Sequence, residues 1–181
     1  SLDTSRRLSR DATLAVFATI RHGNYEIFVM NASGGGQARL TTNDANDVYP
    51  AWSPDGTKIA YQSYQDGQAE IYAMNANGSG QIRLTTYSDY DGQPAWSPDG
   101  TKIAFVRRQS DQCLILVMKN NGSNAQRHSK QPISELPIWS PDGSKIAYDA
   151  DGNNDGWQEL WLMDAAGGNQ RQVYDPPQGN T

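Results

Sequence analysis

What this sequence lacks narrows it first. It has one cysteine, Cys113, so an internal disulfide is excluded. Cys113 opens the apolar run Cys113-Leu114-Ile115-Leu116-Val117-Met118, where a thiol serves as a small buried hydrophobe. There are only two histidines, His22 and His128, and they fall at different positions of the repeat described below. Neither a paired-histidine metal site nor a Ser-His-Asp set can be assembled from them. No apolar run approaches the roughly 18 residues that a bilayer crossing needs, so membrane insertion is not expected. No basic run is present, and the formal net charge is -5 with a pI of about 4.9. Such a chain is a poor electrostatic match for nucleic acid or an anionic membrane. No segment sustains a 3.6-residue apolar period.

What is present is repetition. The stretch Pro50 to Ala60 reads PAWSPDGTKIA, and the same letters return from Pro94 to Ala104. A third version, PIWSPDGSKIA, runs from Pro137 to Ala147. The methionines Met30, Met74, Met118 and Met163 are spaced by 44, 44 and 45 residues, which adds a fourth, disguised copy at the start. In that copy Ser9-Arg10-Asp11-Ala12-Thr13 overlays Ser53-Pro54-Asp55-Gly56-Thr57, and Leu8 replaces the tryptophan. A period in this range marks an array of one supersecondary unit.

Each copy predicts four short strands. In the second copy these are Val48 to Ser53, Lys58 to Ser63, Glu70 to Asn75 and Gln81 to Thr86, called A to D. Between them lie the turns Ser53-Pro54-Asp55-Gly56, Gln65-Asp66-Gly67 and Asn77-Gly78-Ser79-Gly80. Proline presets the φ of a turn, and glycine supplies its left-handed residue. Four antiparallel strands in about 44 residues form a blade of a β-propeller. The expected fold is therefore all-β, with four blades near 5–48, 49–92, 93–135 and 136–175.

WSPDGTKIA followed by EIYAMNANGSGQIRLT resembles the TolB-like β-propeller repeat, a relative of the WD-type repeat. The likeness runs from about Ser5 to Tyr174. It implies a protein-binding scaffold, in a secreted or periplasmic setting. The alternative it implies is the propeller part of a larger hydrolase, or a propeller-type sugar lyase. The lyase expects a histidine cluster that this chain lacks. The resemblance also implies six or seven blades, where this chain supplies four. An open arc would expose the flanks of blades one and four. Closure could come from a longer ring, a strained four-blade ring or two chains forming an eight-blade ring. A homo-oligomer of the last kind is the reading taken here, since pairing buries both flanks.

Asp55, Asp99 and Asp142 recur in SPDG turns, where an aspartate bonds to nearby backbone N–H groups. Trp52, Trp96 and Trp139 read as packing between blades. Arg39, Arg83 and Arg127 read as solvated faces or blade-to-blade ion pairs. In a meander the B–C and D–A loops share one face, and they hold ten of the chain's 20 acids. Variation concentrated on one face of a repetitive scaffold is how a recognition surface looks. The predicted ligand-binding set is Asp44, Asp47, Tyr87, Asp89, Tyr90, Asp91 and Trp157, for a protein, peptide or glycan. The B–C loop of the fourth copy is two residues longer and reads Asp149-Ala150-Asp151-Gly152-Asn153-Asn154-Asp155-Gly156. Its alternating oxygens suit either a Ca²⁺ loop through Asp149, Asp151, Asn153 and Asp155, or an Asx-rich turn.

Overall fold

In a computed structural model of the chain, residues 4–21, 23–131, 134–152 and 156–174 are described. They form four antiparallel sheets of four strands, each a simple meander. Blade one holds β1 (Thr4–Leu8), β2 (Leu14–Thr19), β3 (Glu26–Asn31) and β4 (Ala38–Arg39). Blade two holds β5 (Asp47–Trp52), β6 (Lys58–Ser63), β7 (Glu70–Asn75) and β8 (Ile82–Arg83). Blade three holds β9 (Tyr90–Trp96), β10 (Lys102–Gln109), β11 (Gln112–Lys119) and β12 (Gln126–Arg127). Blade four holds β13 (Ser134–Trp139), β14 (Lys145–Ala150), β15 (Glu159–Asp164) and β16 (Arg171–Tyr174).

The middle strands fall where the sequence places them, but the outer strand is shorter than expected. Its ladder gives way to side-chain bonds. The Thr85 hydroxyl accepts the Ile71 N–H at 2.9 Å, as Thr41 does for Ile27 and Ser129 for Ile115. A hydroxyl thus takes the N–H that a longer outer strand would pair with a carbonyl.

The turns repeat atom for atom. In blade two, Ser53 Oγ donates to Asp55 Oδ1 at 2.6 Å, and the Thr57 N–H and hydroxyl donate to the same carboxylate. Gly56 closes the turn at φ 70. Blade one keeps this network through Ser9, Asp11 and Thr13 without glycine, so Ala12 is forced to φ 55.

The core lies between blades. Val16, Ala18, Ile27 and Leu40 of blade one pack on Trp52, Ile59, Tyr61, Tyr72 and Met74 of blade two. The same arrangement recurs at the next two junctions, with Trp96 and Trp139 at the edges as packing residues. No strand of blade four contacts blade one among the described residues, so the arc is open. Its two flanks differ, contrary to the expectation that both are bare. In blade one Phe17 and Phe28 stack at 5.9 Å, are buried, and lie beneath the Arg21 guanidinium. In blade four Leu160, Val173 and Tyr174 are exposed.

Candidate functional site

The innermost strands β5, β9 and β13 line the central channel, and each carries the same distortion. Their pairing slips near Pro50, Pro94 and Pro137. The preceding residues Tyr49, Gln93 and Leu136 adopt φ 52, 54 and 50. A left-handed non-glycine residue costs roughly 1–2 kcal/mol, and three equivalent ones are rarely kept without use. The bulges bring Tyr49, Gln93 and Leu136 together with Arg7 in one constriction of the channel. The Leu136 N–H donates to Gln93 Oε1 at 2.8 Å, which ties blade four to blade three there. A cleft of about 210 Å³ also lies in the channel, walled by Trp52, Trp96, Trp139, Pro94 and Ile138.

On the B–C and D–A loop face, two tyrosines and a glutamine form a relay. The Tyr90 hydroxyl donates to Gln62 Oε1 at 3.0 Å, and Gln62 Nε2 donates to the Tyr64 hydroxyl at 3.0 Å. The Arg108 guanidinium stands 5.3 Å from the Tyr90 ring centroid. Burial pushes the Tyr90 phenol well above its ordinary pKa. Tyr87 lies beneath Arg107. Asp44, Asp89 and Trp157 are exposed on this face.

Asp47 and Asp91, also expected among the ligand-binding loops, are placed differently: both are fully buried at the heads of β5 and β9. Their backbone N–H groups bond to Tyr25 O and Ala69 O of the preceding blade, each at 2.8 Å. Asp91 accepts two hydrogen bonds from Arg107, at 2.7 and 2.6 Å. The arginines of the outer strands are likewise not blade-to-blade partners. Arg39 pairs with buried Glu26 and Arg83 with buried Glu70, each within its own blade. Thr41 and Thr85 donate to the same carboxylates. Arg127 instead donates to the carbonyls of Ser129 and Lys130.

Of the proposed Ca²⁺ ligands, Asn153 and Asp155 lie outside the described residues. Asp149 is half-buried, and desolvation raises its pKa. Asp151 is buried and accepts the Gly156 N–H at 3.0 Å, while Glu159 accepts the Gly152 N–H at 2.9 Å. Among the described residues no group of three or more His, Cys, Asp or Glu side chains is set to hold a metal. His22 lies outside the described residues. His128 sits beyond β12 beside a cleft shared with Lys102, and desolvation and that lysine lower its pKa.

The constriction residues Tyr49, Gln93 and Leu136, and Gln62 and Arg108 beside Tyr90, are not singled out in the sequence. The constriction has a signal: an X-Pro pair whose proline stands two residues before each tryptophan, at Tyr49-Pro50, Gln93-Pro94 and Leu136-Pro137. The Glu-Arg-Thr set also has one, since Glu26, Arg39 and Thr41 repeat as Glu70, Arg83 and Thr85.

No match is found among curated proteins. Among solved structures, a TolB from Agrobacterium tumefaciens is similar with a TM-score of 0.84 and 25% identity, over 94% of this chain and 67% of that one. TolB from Acinetobacter baumannii is similar with a TM-score of 0.85 and 21% identity, over 96% of this chain and 43% of that one. A puromycin hydrolase superposes with a TM-score of 0.76 at 15% identity, over 98% of this chain and 30% of that one, a likeness of fold. The chain thus spans between 30% and 67% of these proteins' own length. Residues 3–180 match the family model of the TolB beta propeller domain, and with its four four-stranded blades this chain belongs to the TolB-like β-propeller family.

Proposed function

We propose that this chain is a non-catalytic binding module that engages a protein or peptide through its B–C and D–A loop face. The observation that carries the reading is the contrast between the two faces. The turn face is spent on its own closure, with each aspartate held by the same hydroxyl and N–H donors in all four blades. The loop face presents Asp44, Tyr64, Asp89 and Trp157 to solvent around a channel mouth held by strained residues. Aromatic anchors with a polar rim are what a recognition surface requires. Glycans are the second ligand class that such a surface fits. A secreted or periplasmic setting belongs to the same proposal, and the family resemblance is what supports it.

A peptide display library panned on the intact chain tests the reading. Enriched peptides should lose affinity for a Tyr64→Ala/Asp89→Ala/Tyr90→Ala variant and keep it for a Ser79→Ala/Lys102→Ala variant. Equal losses in the two variants would refute it.

The same proposal includes self-association. With Phe17 and Phe28 covered, the bare flank is that of blade four, and an isologous pair of copies buries it twice. Light scattering on a sizing column should give a dimer at high micromolar concentration, and Leu160→Glu with Val173→Glu a monomer. A monomeric unmodified chain rules this out, along with the eight-blade ring.

A further inference from the structure

The junctions between blades differ in one respect: how buried carboxylates are neutralised. At the junction of blades two and three, Glu70 is paired with Arg83 and Asp91 with Arg107. Burial pushes Asp91 upward, but two charge-assisted bonds hold it as an ion pair. At the junction of blades three and four both acids are gone, since Leu114 stands for Glu70 and Ser134 for Asp91. The cross-strand pair is Asp91 with Arg107 in blade three and Ser134 with Ala150 in blade four. In blade two it is Asp47 with Ser63. Asp47 therefore keeps the acid and lacks the arginine.

Asp47 is fully buried. Its Oδ2 accepts the Asn43 amide at 2.7 Å, while its Oδ1 has no hydrogen-bond partner. The titratable and charged groups packed around it are few. Glu26 comes from β3, with its charge already met by Arg39 of β4. Tyr61 comes from β6, and Glu70 of β7 lies across Ser63, met by Arg83. Glu26 thus has a guanidinium partner, while Asp47, equally buried, has none. A buried ionised carboxylate without a counter-charge is costly enough that it takes up a proton instead.

We infer that Asp47 is a proton-carrying latch between blades one and two, and that its ionisation loosens the loop face beside it. Asp47 heads the strand that carries the Tyr49 bulge, and it anchors Asn43 of the 40–46 loop, next to exposed Asp44. Desolvation, and to a lesser extent Glu26, raises its pKa, while the neighbouring hydroxyls of Ser63 and Thr41 and the Asn43 amide oppose the rise. An unfolded aspartate ionises near 3.9. The junction is therefore at full strength below that value, and weakens as pH climbs through the higher folded value.

A carboxyl ¹³C NMR titration of the native chain tests this directly. The Asp47 resonance should titrate with a midpoint above the ordinary aspartate value of about 3.9, accompanied by shifts at Asn43 and Tyr49. A midpoint at or below that value overturns the inference. Melting curves give a second readout. Relative to Asp47→Asn, the native chain should lose stability steadily as pH rises above about 4, the ordinary aspartate range. Parallel pH profiles would equally overturn it. Should Asp47→Asn fail to fold, the titration of the native chain still decides.

Discussion

Arg107 grips Asp91 through two hydrogen bonds of 2.7 and 2.6 Å while its guanidinium lies 4.1 Å from the ring centroid of Tyr87. One side chain thus neutralises a buried acid and roofs a loop aromatic. Removing one partner of a buried pair costs about 3–5 kcal/mol, because the other is left charged and unpaired. Arg107→Ala is expected to lose that much in urea denaturation. The double change Asp91→Ser/Arg107→Ala, which copies the Ser134–Ala150 pair of blade four, should recover most of it. A double variant as unstable as the single one would show that the pair does more than cancel charge.

Ala12 sits at φ 55 where the other blades have glycine at φ 70 to 72. Glycine visits this region without the Cβ clash that penalises alanine. Ala12→Gly is therefore expected to stabilise the chain by about 1 kcal/mol, despite the usual cost of added backbone freedom. Thermal unfolding checks this, and a lowered melting temperature would mean that blade one has relaxed around alanine.

The turn aspartates set the acid limit. The Ser140 hydroxyl, followed by the N–H and hydroxyl of Ser144, holds Asp142 down to a pKa of about 2. Asp11, Asp55 and Asp99 are lowered by the same set of donors. A depressed folded pKa gives stability that is present above the unfolded value near 3.9 and lost as pH falls toward the folded one. Unfolding free energy should thus drop between about pH 4 and pH 2, the unfolded and folded limits. Replacing the four turn serines Ser9, Ser53, Ser97 and Ser140 by alanine should flatten the drop in an acid titration followed by circular dichroism.

The loop of residues 149–156 is tested with Ca²⁺ alone. A metal bound only to the folded chain raises the melting temperature by mass action. If the loop holds Ca²⁺ rather than forming an Asx-rich turn, the rise appears at millimolar Ca²⁺, reverses with chelator and vanishes in Asp151→Asn. A curve indifferent to Ca²⁺ leaves Asp151 with its bond to the Gly156 N–H as its role.

The sequence by itself determined the blade. Strands β6 and β7 run from Lys58 to Ser63 and from Glu70 to Asn75, as the repeat predicts. Turn chemistry and strand alternation act over a few residues, so a 44-residue repeat carries them openly. Which loop acids face water was decided only by tertiary structure. Asp89 and Asp91 are two residues apart, yet Asp89 is exposed while Asp91 lies at the start of β9, buried and bonded through its N–H to Ala69 O of the preceding blade. Burial there depends on a second blade 44 residues away. The same holds for Tyr49, Gln93 and Leu136: their prolines are visible in the sequence, but a left-handed bulge that aims them at a shared channel exists only once the blades stand side by side.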